Sequence, residues 1–235
     1  LSITGNSDIK PPMITRREKL RHATIDEIKS IAWKTLKENQ PVTIQRITRE
    51  MGMTAPAFYT YFKNRDDLME QLVCDALDSF YLALNTPDKK KNTGLRELFI
   101  RYREWAIAHP YAFSLFAGTP VFGFDAEGYP EKAVRIYRLI LNFFRKADQK
   151  DLIAPEIKKQ DIKNLDPAYV DELTSIRDQI YPDLDISLLH CAITLIIQAH
   201  GSISMELSAR FNTMVTDWKI IYRAQIDAAL KGMGL

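Results

Sequence analysis

Cysteine and histidine are scarce in this sequence, and their scarcity excludes several kinds of protein. Among 235 residues only Cys74 and Cys191 are cysteines, and they lie far apart. No disulfide framework of the sort that staples small secreted domains is available, and a reducing compartment is the expectation. The four histidines are His22, His109, His190 and His200. His190 and His200 stand ten residues apart, nearly three turns of a helix and too far to share a metal, while the adjacent His190 and Cys191 point in different directions. No metal or cofactor is expected. HExxH, GxSxG and P-loop patterns are all missing, so hydrolase or NTP-dependent chemistry has no support and an enzyme is not expected. No run approaches the roughly 18 consecutive apolar residues of a membrane span. The longest apolar stretch, Leu188 to Ala199, is interrupted by His190, Thr194 and Gln198. The beginning of the chain lacks a basic-then-apolar leader pattern, so a cytoplasmic protein without a membrane partner is expected.

What is present is the composition of a globular chain, 46% hydrophobic and 26% charged, long enough for one or two domains with a sizeable core. The formal net charge of +2 conceals an uneven distribution. Residues 10–65 carry 12 Lys+Arg against 5 Asp+Glu, a net of +7, whereas residues 66–235 carry 20 against 24, a net of −4. Concentrated positive charge on one segment is the footprint of a polyanion partner.

That basic segment contains two short helical patterns, one from Thr43 to Met51 and one from Thr54 to Phe62, separated by Met51-Gly52-Met53. So short a break is a tight corner, and the whole reads as a helix-turn-helix. Thr43 is placed as an N-cap, with Ile44, Ile47 and Met51 recurring at helical spacing to form one apolar face. Gly52 supplies the positive φ of a sharp turn. Thr54 caps the second helix, and Pro56 is tolerated in its first turn, where a backbone N–H would be unpaired anyway. Phe58 and Phe62 face the core, leaving Ala55, Ala57, Tyr59, Thr60 and Tyr61 on or near the surface. Small residues allow close approach to base edges, and tyrosine hydroxyls can donate to phosphates. A plain helical hairpin carries the same bare pattern.

The order Thr43-Ile44-Gln45-Arg46-Ile47, then Gly52, then Ala57-Phe58-Tyr59-Thr60-Tyr61-Phe62-Lys63-Asn64-Arg65 and Leu68 resembles the N-terminal DNA-binding domain of the tetracycline-repressor (TetR) family. The resemblance covers about 50 residues, including a first helix from Arg16 to Asn39. Two positions depart from the family pattern. Asn39-Gln40-Pro41 stands where glycine usually ends the first helix, and Arg65 replaces the usual lysine. Asparagine can adopt the left-handed cap conformation, and arginine keeps the phosphate-pairing charge.

The rest of the chain supports the same architecture. Residues 1–14 lack periodicity and read as a loose arm. A first helix with Ile25, Ile28, Ala32 and Leu36 braces the motif. A helix starting near Asn64 or Arg65, with Asp66 and Asp67 at its positive end, runs to about Asn85 and would carry motion between the parts. Residues 87–94, with three lysines, form the clearest linker. Helices follow from Leu95 to Pro110, through Phe113 and Phe116 to Gly118, and from Glu131 to Lys150. Trp105, His109-Pro110 and His200-Gly201 together resemble the Trp-His-Gly (WHG) type of C-terminal regulatory domain, which implies ligand sensing and dimerisation. The aromatic loop 119–130, with Phe122 and Phe124, either seals the core or lines a pocket mouth. Residues 151–184 read as a surface insertion with one helix after Asp166-Pro167. The last two helices, Ile186 to about Asn212 and Thr216 to Lys231, are apolar over too broad a face for solvated surface helices. His109 reads as a helix C-terminal dipole partner. His200 can bond a backbone group or touch a ligand.

The expectation is therefore an all-α protein in three parts: a flexible arm (1–14), a helix-turn-helix DNA-binding domain with its connecting helix (15–85) and a larger helical ligand-binding and dimerisation domain (86–235). It would be a transcriptional regulator, in the sense of a repressor, binding a palindromic double-stranded operator as a homodimer and answering to a small, mostly hydrophobic effector. DNA contacts are expected from Thr43, Arg46, Thr54, Ala55, Pro56, Thr60, Tyr59, Tyr61, Lys63 and Arg65. The cavity would be lined from Trp105, Phe113, Phe116, Phe122, Phe124, Tyr137, Leu141, Phe144, Ile196 and His200. The family's dimerisation role would fall to Ile203, Leu207, Phe211, Trp218, Ile221, Tyr222 and Ile226. The rivals are a helical protein-interaction module without DNA binding, and an enzyme working in the C-terminal cavity.

Overall fold

The computed structural model describes residues 15–86, 94–117, 130–150, 153, 162–209 and 213–235. Among them are ten α-helices and no strand. Compactness divides the chain into two units at Met69 and Glu70. The arm, Phe122, Phe124 and Phe211 lie outside the described residues, as do most of the linker and of residues 151–161.

The first unit is built on α1 (Arg16–Lys37), α2 (Ile44–Met51) and α3 (Ala55–Phe58). A capping box starts α1: Thr15 Oγ1 accepts from Glu18 N–H at 3.2 Å, and Glu18 Oε2 accepts from Thr15 N–H at 2.7 Å. The helix stops at Glu38, and Asn39 takes the left-handed conformation expected of it, with φ 54°. Thr43 Oγ1 accepts from Arg46 N–H to cap α2, and Thr54 Oγ1 accepts from Ala57 N–H to cap α3. Between them Gly52 makes the turn with φ 64°. Ile28, Ala32, Val42, Ile47, Phe58, Phe62, Leu68 and Met69 are all buried. Phe58 and Phe62 stack with ring centroids 5.7 Å apart.

The second helix of the motif is shorter than its sequence pattern predicts. Regular α-helix ends at Phe58 instead of Phe62. Thr60 N–H and Tyr61 N–H bond back three residues, to Ala57 and Phe58. Such tightening is characteristic of helix ends, and the run Phe58-Tyr59-Thr60-Tyr61-Phe62 consists of residues with modest helix propensity.

The helix α4 (Arg65–Asn85) begins in the first unit and continues into the second. The second unit adds α5 (Leu95–Ala108), α6 (Pro110–Ala117), α7 (Pro130–Gln149), α8 (Pro167–Ile180), α9 (Ile186–Leu207) and α10 (Trp218–Gly232). Helix α9 is central, packing on α5, α7, α8 and α10. Its length and apolarity would suit a membrane span by composition alone. Leu188, Leu189, Ala192, Leu195, Ala199 and Ile203 are instead buried against neighbouring helices. Helix α8 also joins this core. Its Leu173 is fully buried and its Tyr169 hydroxyl meets His190 Nδ1 at 2.8 Å, so this part of the expected surface insertion is integral to the fold.

Buried polar links fix the register of these helices. Tyr222 Oη on α10 donates to the Phe99 carbonyl on α5 at 2.8 Å, and burial pushes the Tyr222 phenol pKa up, keeping it a donor. Arg103 on α5 grips Glu206 on α9 through two nitrogens, at 2.8 and 2.5 Å. Phe80 on α4 is the aromatic hub, with centroids 4.7 Å from Trp105, 4.8 Å from Tyr102 and 5.6 Å from Phe116.

Candidate nucleic-acid interface and ligand cavity

The helix-turn-helix presents small and aromatic groups outward. Thr43, Thr54, Ala55, Pro56, Tyr59, Thr60 and Lys63 are exposed. Tyr59 is 53% accessible although Phe58 beside it is fully buried, so the outer ring is held edge-on against the inner one with centroids 5.8 Å apart. The caps spend the acceptor side of Thr43 and Thr54 on backbone N–H groups and leave each hydroxyl proton free to donate. Thr60 differs, since its hydroxyl donates back to the Ala57 carbonyl at 2.8 Å, leaving its methyl and its acceptor side for other contacts.

Two arginines expected to meet DNA are held elsewhere. Arg46 Nε donates to Glu50 Oε1 at 2.9 Å, and its Nη2 pairs with Glu38. These carboxylates hold the guanidinium pKa above its ordinary value, and Arg46 braces α2 against the end of α1. Its charge is balanced within the unit by Glu38 and Glu50. Arg65 Nε donates to the Val42 carbonyl at 2.8 Å and its Nη1 meets Asp66, so it ties the start of α4 to the residue preceding Thr43. Asp67 assists there by accepting from Lys63 N–H at 2.7 Å.

Arg21 carries a role that no local pattern announces. From α1 its Nη1 donates to the Thr60 carbonyl at 2.8 Å, and its guanidinium lies 5.2 Å from the Tyr61 ring centroid. It thereby satisfies a carbonyl at the end of the second motif helix and holds Tyr61, which is half-buried, in place. Its partners lie about 40 positions away, beyond the reach of any spacing rule.

The second unit holds a partly open cavity of about 250 Å³. Helix α4 contributes Leu77 and Phe80, and α7 contributes Ala133, Ile136, Tyr137 and Ile140. Tyr102, Phe116, Ala117, Ile196 and His200 complete the lining. Of the residues expected to line a cavity, Phe116, Tyr137, Ile196 and His200 line this one. Trp105, Phe113, Leu141 and Phe144 are buried but are not on this lining, and the rings of Trp105 and Phe113 pack against Phe116 of the lining. Trp105 is buried with Nε1 donating to Ser79 Oγ at 3.1 Å, and the Phe113 ring sits 5.0 Å from that of His200. The polar part of the wall is a short chain. His200 Nε2 meets the Ala117 carbonyl at 2.8 Å, and His200 Nδ1 meets Tyr102 Oη at 2.9 Å. A carbonyl only accepts, so Nε2–H donates to Ala117, and in the tautomer that leaves Nδ1 unprotonated Nδ1 accepts from the Tyr102 hydroxyl. Burial pushes the Tyr102 phenol pKa upward, which keeps that proton in place. His109 bonds the Trp105 carbonyl at the end of α5 and stays away from the cavity, as its expected helix-end role requires. Among the described residues no cluster of His, Cys, Asp and Glu could hold a metal.

Three residues assigned to subunit contact are buried within the protomer: Ile203, Tyr222 and Ile226. Of these, Tyr222 reaches α5 through the Phe99 carbonyl. Leu207, Trp218 and Ile221 are half-buried. The outward apolar residues are Ile197 at 66% accessible, Ile220 at 65% and Met205 at 41%, with Ala224 and Ala228 exposed on α10.

A helix-turn-helix head on a larger helical unit with a cavity is the architecture of a DNA-binding transcriptional regulator. Sequence comparison assigns residues 40–72 to "Bacterial regulatory proteins, tetR family" and residues 95–229 to "Tetracyclin repressor-like, C-terminal domain". The chain belongs to the TetR family. It is 25% identical over 198 residues to the HTH-type transcriptional regulator Rv1816 of Mycobacterium tuberculosis H37Rv, spanning 78% of this chain and 80% of that protein. The Mycobacterium bovis regulator Mb1846 matches equally. The crystal structure of SCO4313, described as a regulatory protein, superposes with a TM-score of 0.75 at 27% identity, covering 92% of this chain and all of that one. A Rhodococcus sp. RHA1 protein of unknown function shares the fold, at a TM-score of 0.58, 15% identity and coverage of 96% and 100%.

Proposed function

We propose that this regulator is a cytoplasmic homodimeric repressor whose grip on a palindromic operator is loosened by a small, mostly apolar effector. The observation that carries the reading is the apolar cavity, walled in part by Leu77 and Phe80 of α4, the same continuous helix that starts at Arg65 in the DNA-binding unit. An effector can shift operator affinity only by the difference in its own affinity for the two arrangements of the heads. One helix common to both units is a direct means of producing such a difference.

In this reading α3 enters a major groove. Ala55, Pro56 and Thr60 meet base edges, while Thr43, Thr54, Tyr59, Tyr61 and Lys63 position the phosphates. With few long polar side chains on α3, DNA shape contributes to selectivity. The two half-sites would lie about 34 to 36 Å apart or at multiples of that spacing. Subunits would pair through the outward face of α9 and α10, using Ile197, Met205, Ile220, Ala224 and Ala228 with Gly201 allowing close approach. Ile203, Tyr222 and Ile226 would support that face from behind.

The test is a fluorescence-anisotropy titration on a duplex selected by the protein, paired with sedimentation of the complex. Two protomers per duplex, with affinity falling steeply as salt rises, are the expected result. One protomer per duplex would refute the dimeric reading, and binding indifferent to salt would refute the operator reading.

A further inference from the structure

Among the described residues, the polar wall of the cavity offers acceptors and hardly any donor. Ala117, the last residue of α6, borders the space and presents its carbonyl to His200. The Ala117 carbonyl has a second lone pair beyond the one used by His200. In the tautomer with Nδ1 unprotonated, Tyr102 Oη donates to His200 Nδ1 and keeps a lone pair. The Nε2–H of His200 is spent on Ala117. No charged side chain lies among the described lining residues.

Resting on the reading of this cavity as a small-molecule site, we infer that its ligand is a neutral, mainly apolar molecule of one ring or a short chain that carries a hydroxyl-type hydrogen-bond donor. The donor reaches the acceptors presented by Tyr102 and Ala117, and the apolar body lies against Phe80, Ile136, Ile140 and Ile196. Among the described lining residues a carboxylate finds neither a cationic side chain nor a free side-chain N–H. An ammonium loses its hydration with no carboxylate among those residues to replace it. Size follows from the volume, about 250 Å³, which lies just below the ~300–1,000 Å³ common for ligand pockets.

The inference is tested on the intact protein with benzyl alcohol, benzyl methyl ether, toluene, benzoate and benzylammonium. Each is titrated by ligand-observed NMR and located by intermolecular NOEs to the Ile136 and Ile196 methyl groups. Benzyl alcohol is expected to bind at this site about 2- to 10-fold more tightly than the ether or toluene, the worth of one hydrogen bond. Benzoate and benzylammonium are expected not to saturate where the alcohol does. Equal affinities for alcohol and ether, or tighter binding of either ion, would overturn the donor inference and leave the cavity a ligand site. If no probe shows an NOE to these methyls, the donor inference and the small-molecule reading both fall.

Discussion

Replacing Gly52 with alanine isolates the cost of the turn on which the DNA-binding unit depends. Gly52 has φ +64°, and a Cβ built there meets nothing within 4 Å. Steric clash contributes nothing, so the penalty is that of an L-residue in the left-handed region, about 1–2 kcal/mol. Alanine also restricts the unfolded chain, which returns about 0.4–1 kcal/mol. The expected net loss is about 1 kcal/mol. Gly201 supplies the opposite control: it lies within helix α9, without positive φ and with the same open space around a built Cβ. Gly201→Ala should stabilise the protomer by about 0.5–1 kcal/mol. Urea unfolding followed by far-UV circular dichroism measures both, with the slope m unchanged if compactness is preserved. A neutral or stabilising Gly52→Ala would refute the assignment of Gly52 as a left-handed cap. Sedimentation of Gly201→Ala adds a functional reading, because a new methyl on the face proposed to meet a second copy should weaken self-association while the protomer gains stability.

Other substitutions separate bracing from contact. Lys63→Ala should lower the slope of log affinity against log salt by about 1, as loss of one phosphate contact requires, whereas Arg46→Gln should leave that slope unchanged. Tyr59→Ala should weaken binding to all duplexes, and Arg21→Ala should relax sequence selectivity without altering the salt slope, both read by anisotropy on matched and mismatched sites. Tyr222→Phe should cost about 1 kcal/mol in urea unfolding, because one buried hydrogen bond is lost. Asp78 accepts from Lys132 Nζ at 2.6 Å and Arg135 Nη2 at 2.7 Å. Burial works to raise its carboxyl pKa, but these hydrogen bonds prevail and hold it below the ordinary value. A depressed native pKa gives stability above the ordinary carboxylate range that is lost as pH falls through the folded value. Asp78→Asn should therefore lower the urea midpoint at pH 7 and have a smaller effect well below pH ~4.

The parts of the fold decided locally were legible in the sequence. Thr43, Thr54, Asn39 and Gly52 act through backbone groups within a few residues, and each adopts the cap or turn conformation that its chemistry suggests. Long side chains were another matter. Arg46 and Arg65 carry the charge of a phosphate contact, but Glu38 and the Val42 carbonyl lie where only the folded unit brings them. Helical periodicity separates an apolar face from a polar one without saying which neighbour covers it. Ile203, Tyr222 and Ile226 thus read as apolar surface for a partner although the protomer already buries them. In the cavity, Phe116 and His200 were recognisable as an aromatic and a polar residue on otherwise apolar helices. Trp105 and Phe113 have the same chemistry and are buried off its lining, a difference that depends on helix rotation.

The most direct test of the central claim is selection of duplexes from a random pool by the purified protein, repeated over a range of salt concentrations. A symmetric DNA-binding regulator predicts enrichment of one palindromic sequence, with affinity that declines linearly in log salt. Recovery of no preferred sequence at any salt concentration would contradict the account.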